Sequence, residues 1–413
     1  MRRLGGIGEA FSDRNFRIYS IGAIASWITY FIQMVAFSWA AWEVTHSTTW
    51  LAVISILGVV AILVLMPIGG VLADRHDRFR MVLIAYALDA VQAAVLAVLA
   101  FTDQLGLPAL LISSFLHGAI HSFSVPASYC LMPRFVARER LASAIAVGAS
   151  YSQFAIFAGP AIAGWILVHW GVAAAFAVNV VGYLVYFCCA AFLRTPVDFV
   201  QAKSGKGSLF TDLLDGGRYI FQHESLKVLL LLVLVGDAVS TAVVQMVPAY
   251  SDLILGMGVG GASVLYGAMG LGATAAALWL AHGGARRTTL RNITWAVAGI
   301  SAAVALLAGA PGLIVAGAAM ALLGFSGETR RTATVAMMQS TVDDLQRGRV
   351  MSSLFMFTQV AGGIGTLAIG IVAGTTNMRV PMAVSALVLA LVWLLLLRGR
   401  KAEVPGLGPI DRV

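Results

Sequence analysis

Apolar residues in this chain are gathered into twelve long runs, each near the roughly twenty residues that a bilayer crossing takes. Their limits are 16–42, 49–72, 80–101, 108–132, 141–168, 172–193, 226–254, 260–281, 289–309, 312–338, 349–374 and 378–398. A hydrocarbon core holds no water, so each run must satisfy its own backbone N–H and C=O groups, and a helix does this within one segment. An all-α membrane protein is therefore expected. Composition agrees. Of 413 residues, 60% are apolar and 11% charged, and mean hydropathy is +0.89. Water-soluble domains carry about a quarter charged residues.

The net charge of +8 does not point to nucleic acid. Its basic residues sit in short loops between apolar runs, not in one patch with interleaved aromatics. With the N-terminus placed in the cytoplasm, 24 of the 27 Lys and Arg fall on that side. They include Arg75, Arg78 and Arg80; Arg134, Arg138 and Arg140; Arg286, Arg287 and Arg291; and Arg398, Arg400 and Lys401. Arg379 falls on the other side, and Arg330 and Arg331 lie within a run. That asymmetry places both termini in the cytoplasm. The first run lacks a small-residue cleavage site and reads as an uncleaved span. Cys130, Cys188 and Cys189 all lie in apolar runs and give no disulfide framework.

The longest break, 194–225, opens polar and turns amphipathic around Leu209, Leu213 and Ile220, as expected of a segment on the inner membrane surface. It divides the chain into residues 1–193, the linker 194–225, and residues 226–413, with six runs on each side. The halves echo one another: "PRFVARERLASA" after the fourth run resembles "DDLQRGRVMSS" after the tenth. Two six-helix repeats are a transporter signature, with the binding site at their interface near the midplane.

The loop after the second run reads "GGVLADRHDRFRMVL". Gly70, Leu72, Ala73, Asp74, Arg75 and Arg78 match the motif between helices two and three of the major facilitator superfamily, which the chain resembles over nearly its whole length. Asp77 stands where that motif usually has Gly, and Phe79 where it has a basic residue. The second half carries a worn copy, "LWLAHGGARR", with His282 in place of the acid. The stretches "NFRIYSIGAIASWITYFIQMVAFSWAAWEVTHST", "HSFSVPASYCLMPRFVARERLASA" and "LFTDLLDGGRYIFQHESLKVLLLL" resemble the branch containing the enterobactin exporter and the macrolide efflux pumps. The resemblance implies two pseudo-symmetric six-helix bundles, a cytoplasmic gate at Gly70, Asp74, Arg75 and Arg78, and efflux. It also implies that helices one, four, seven and ten line a central cavity. An Arg common in the fourth helix of proton-coupled drug exporters is missing from "LLISSFLHGAIHSF", and their fifth-helix motif survives in part as Gly148, Gly159, Pro160 and Gly164. Gly159, Pro160 and Gly164 are expected to serve helix packing.

Polar residues within the runs fall mostly on those four helices: Ser26, Trp27, Tyr30 and Gln33; His117, His121 and Ser122; Asp237, Ser240, Thr241 and Gln245; Glu328, Arg330 and Arg331. A charge at bilayer depth costs at least about 2.5–3.5 kcal/mol unless it meets water or a partner. At about 1.5 Å per residue, Asp237 and Glu328 come out at similar depth, with Arg331 on the face of Glu328. Asp237, Glu328 and Arg331 are expected to form one charge cluster, either titrating during transport or acting as a permanent ion pair. Arg330, about 100° round the helix, is expected to point elsewhere, to the cytoplasmic gate or a ligand. His117 and His121 share a face one turn apart. With no third ligand nearby in sequence, a polar cavity wall or proton site is expected there rather than a metal. Asp89 stands mid-run in a helix that should be peripheral, and either pairs inward or carries protons.

The expected function is export of a small amphipathic molecule, a drug or siderophore-like metabolite, by alternating access with proton antiport across the bacterial inner membrane. Proton-coupling candidates are Glu328, Asp237, Asp89, His117 and His121. Substrate candidates are Trp27, Tyr30, Gln33, His121, Gln245, Arg331 and Arg330. No cofactor, metal, nucleic acid or oligomeric partner is expected. A flippase of the same fold or a membrane sensor are the alternatives. No nucleophile motif, metal spacing or nucleotide loop suggests an enzyme or an ATP-driven pump.

Overall fold

The computed structural model describes residues 13–129, 141–193 and 209–398, and those residues are helical with short connections. Residues 130–140, with Cys130, Arg134, Arg138 and Arg140, lie outside the described residues, as do 194–208 of the linker and 399–413 with Arg400 and Lys401.

The helices are α1 Arg14–Thr45, α2 Thr48–Arg75, α3 Arg78–Phe101, α4 Leu107–Tyr129, α5 Leu141–Ala191, α6 Leu209–Gln222, α7 Glu224–Gln245, α8 Val247–Leu253, α9 Gly258–Gly283, α10 Leu290–Gly309, α11 Leu313–Thr341, α12 Asp344–Thr375 and α13 Arg379–Arg398. Nine described helices are long and apolar enough to cross a membrane. One of these, α5, holds two spans, because Gly171 at φ 77° and ψ −177° breaks the helix. Only glycine adopts that backbone without steric cost. With α13 and the charge-bearing α11 the crossing segments among the described residues come to the expected twelve.

The seventh run also breaks. Met246 separates α7 from α8, and Pro248 has no N–H to return to the carbonyl of Val244. The Tyr266 hydroxyl donates to that carbonyl instead, at 3.1 Å.

The chain forms two compact units. The first comprises Met1–Ala40 and Leu57–Leu209, the second Ala41–Ile56 and Phe210–Val413. The α1–α2 hairpin thus counts with the second unit. Trp42 Nε1 donates to Asp252 Oδ2 at 3.0 Å and Thr48 Oγ1 to the carbonyl of Gly370 at 2.8 Å. Any side chain on Gly370 would collide with Ala52.

Within the first unit, α2 and α4 approach backbone to backbone, since a side chain on Gly118 would enter the carbonyl of Gly58 and one on Gly69 that of Ser122. Within the second, Gly272 of α9 sits on the carbonyl of Ala321, and Gly324 of α11 on that of Met269. Such small-residue contacts let helices approach closely where lipid supplies no hydrophobic drive between them. The linker helix α6 lies on α12: Gly216 leaves room for the Arg349 carbonyl, Phe221 meets Phe357 edge-on at 6.1 Å, and Tyr219 donates to Asp343 Oδ2 at 3.3 Å.

Candidate functional site

A helix facing lipid exposes apolar side chains. α3 exposes Ile84, Leu88, Val91, Val95 and Val98, one stripe at helical spacing, and α13 exposes Val380, Val384, Leu387 and Leu391. Over its second half, α11 reverses the pattern. Arg331, Thr332 and Gln339 are exposed and Glu328 is half-buried on the same side, while Leu323, Ser326, Arg330 and Ala333 are buried. Charge at this depth is tolerated where it faces water, so this stripe is a polar wall.

The wall is internally bonded. Glu328 accepts from Arg331 Nη2 and from the Thr332 hydroxyl, each at 2.6 Å. The Arg331 side chain is 58% exposed and that of Glu328 10%. Arg330 goes the other way. It is buried and donates to the Val233 carbonyl at 2.9 Å and to Asp237 Oδ1. Its guanidinium fills the space left by Gly236, where any side chain would collide with it.

The single cluster expected from the sequence is therefore corrected to two pairs. Arg330, not Arg331, meets Asp237, and Glu328 keeps Arg331. The cause is rotation: α7 packs against the side of α11 that carries Arg330, while Glu328 and Arg331, three residues apart, share the opposite side. Arg330 accordingly points neither to a gate nor to a free ligand surface.

In the first unit the polar residues meet around α3 and α4. Asp89 faces inward to α4, with His117 Nδ1 3.5 Å from its Oδ1. His117 lies 5.1 Å from His121 by ring centroids, and His121 5.6 Å from Tyr30 of α1. Tyr30 in turn packs edge-on with Trp27 and Phe31, and Trp27 is 41% exposed. Trp27, Tyr30, His121, His117 and Asp89 are thus one continuous chain of side-chain contacts. Gln33 is not part of it. It is buried and accepts from Asn179 of α5. Gln245 lies at the last residue of α7.

Gly70, Asp74 and Arg75 fall in the last turns of α2, where the helix is described and the side chains are not. Arg78 opens α3. Asp77, the departure from the family motif, caps α3 by accepting from the amide of Phe79 at 2.9 Å. In the second half's copy, Arg287 folds back over Trp279, 4.6 Å above the ring, and bonds the Trp279 carbonyl. Gly159 lies against Phe31 and Ile28 of α1, with Pro160 and Gly164 buried on the same helix.

Sequence inspection missed Gly236, Asn179 and Tyr86, whose hydroxyl lies 2.6 Å from that of Ser26. A Gly one position before an intramembrane acid, and an Asn in an otherwise apolar run, were the available signals.

The pattern of spans, paired bundles and intramembrane charge has a match. A family model described as transmembrane secretion effector covers residues 9–407. The chain belongs to this family. As a transmembrane secretion effector it is a multi-pass membrane transporter of the major facilitator superfamily. It is 27% identical over 225 residues to macrolide efflux protein A of Streptococcus pyogenes, which is 54% of this chain and 56% of the relative. The match thus spans about half the length of that protein. It is 27% identical over 397 residues to the enterobactin exporter EntS of Salmonella typhimurium, 94% of this chain and 90% of the relative. Its fold is that of the nucleoside transporter NupG, with a TM-score of 0.67 at 15% identity over 93% of this chain and 99% of that one.

Proposed function

We propose that this transporter exports a small amphipathic organic molecule, of the drug or siderophore class, by alternating access in exchange for protons. The observation that carries the proposal is the reversed polarity of α11. A stripe with Arg331, Thr332 and Gln339 exposed and Glu328 half-buried behind Arg331 is a wall for a polar ligand end, and lipid would not solvate it. The aromatic surface of Trp27, Tyr30 and His121 in the first unit suits a bulky, partly apolar ligand. The printed names of two relatives, a macrolide efflux protein and an enterobactin exporter, agree with efflux of organic molecules.

In this proposal the protein sits in the cytoplasmic membrane as a monomer with both termini inside, and its two six-helix halves alternate about a midplane site. The turn from α2 into α3 is the cytoplasmic gate. The titratable groups available for coupling are Glu328, Asp237, Asp89, His117 and His121.

The test is transport by purified protein in proteoliposomes under an imposed pH gradient. The panel holds macrolides, lipophilic cations, catecholate siderophores and lysophospholipids. Accumulation of a soluble amphipathic compound, abolished by a protonophore, is the expected result. Movement of lysophospholipid alone, indifferent to the gradient, would replace the proposal with a flippase.

A further inference from the structure

We propose that Asp89 and His117 together hold the exchanged proton. This rests on reading the protein as a proton-coupled transporter, and it selects one site from the intramembrane groups.

The three mid-span carboxylates differ in their partners. Asp237 is held by Arg330, and Glu328 by Arg331. A guanidinium does not give up its proton in a protein, so both acids keep a permanent counter-charge. The partner of Asp89 is an imidazole, which is neutral or charged within the physiological range.

The geometry is that of a pair able to change state. Asp89 stands halfway along the 24 residues of α3. Its side chain is 12% exposed, and that of His117 is 29% exposed. Asp89 Oδ1 is buried and accepts no hydrogen bond. The 3.5 Å to His117 Nδ1 exceeds hydrogen-bond length. An ionised carboxylate with a buried, unsatisfied oxygen is costly. Two events relieve it: a proton joins Oδ1 and makes a neutral acid, or a proton on His117 makes an imidazolium that closes on the carboxylate.

One turn away the helices are clamped. Gln92 of α3 donates to the Ser113 carbonyl at 2.6 Å and to its hydroxyl at 2.5 Å. The adjustable element is therefore the Asp89–His117 gap. The groups around it are Tyr86 on α3, bonded to Ser26 of α1; Tyr183 of α5, 6.2 Å from Tyr86; and His121, backed by Tyr30. Loading takes one proton from water, by way of the more exposed His117, and forms an O–H bond at Asp89. Release breaks that bond and returns the proton to water by the same imidazole.

Infrared difference spectra of the full-length protein in proteoliposomes, between acid and alkaline buffer, test the site directly. A protonated-carboxyl band is expected in the wild type, absent in Asp89→Asn and retained in Glu328→Gln. His117→Gln should shift the pH midpoint of the band, and Asp89→Asn should lose accumulation driven by the pH gradient. Persistence of the band in Asp89→Asn, its loss in Glu328→Gln, or an unmoved midpoint in His117→Gln would overturn the proposal. Should the wild type show no proton-linked transport, the transporter coupling fails, and the spectra still decide whether Asp89 binds a proton.

Discussion

Arg330 of α11 reaches Asp237 of α7 through the space of a missing side chain, that of Gly236, and ends buried against the Val233 carbonyl. The pair joins two helices whose residues lie 93 positions apart in sequence. Breaking a buried pair by removing one member costs about 3–5 kcal/mol, because the other charge stays behind. Arg330→Met and Asp237→Leu should each lower the thermal unfolding midpoint in detergent markedly, and the double variant should recover much of the loss. Gly236→Ala should also destabilise, by crowding the guanidinium. A double variant that loses the sum of the two single losses would show that the two residues are uncoupled.

Arg331 should behave differently, since its side chain is 58% exposed. A ligand at a hundredfold excess over its Kd stabilises by about 2.7 kcal/mol. Arg331→Ala should abolish that stabilisation for an anionic ligand, and lower the unliganded midpoint less than Arg330→Met does, because Glu328 keeps the Thr332 hydroxyl. Retained stabilisation in Arg331→Ala, with loss in Trp27→Ala, would move the ligand to the aromatic surface of the first unit.

Tyr266 answers for Pro248. Tyr266→Phe removes a hydroxyl donor from the Val244 carbonyl and leaves it only the shared Met246 N–H, at about 1 kcal/mol. Pro248→Ala restores an N–H able to reach that carbonyl, so Tyr266→Phe should cost less in the Pro248→Ala background. A double-mutant cycle on unfolding midpoints measures the difference, and additive effects would contradict the account.

Asp77→Ala should cost about 1 kcal/mol through loss of the α3 cap, and Asp77→Gly only a few tenths. Hydrogen exchange at the amide of Phe79 should accelerate in the Ala variant. Unchanged exchange there would mean that the cap is made by another group.

Much of this was legible in the chain. The boundaries of α3, α4, α9 and α10 fall within a few residues of the hydropathy limits. The break at Gly171 falls between the expected fifth and sixth runs, whereas the seventh run was expected unbroken and parts at Met246, before Pro248. For Asp89 the sequence left two readings open, inward pairing or proton carriage, and could not name its partner. The resemblance put the third helix at the periphery, yet one face of α3 is lipid-like while Asp89 and Gln92 form a polar seam with His117 and Ser113 on α4. Hydropathy averaged over a run cannot separate the two faces of a helix. Gln33 was similarly opaque: its residue type suits a ligand, and its position gives it to Asn179.

From the sequence by itself came the helices, their number and their membrane setting, because a bilayer forces each segment to satisfy its backbone locally and hydropathy is a local property. Only the tertiary structure decided which charge meets which. Arg330 and Arg331 are neighbours in the chain, yet one residue of helix turns them about 100° apart, and what each finds there is set by helices distant in sequence. Gly236 opens one side of α11 to Asp237, and on the other side Arg331 folds onto Glu328.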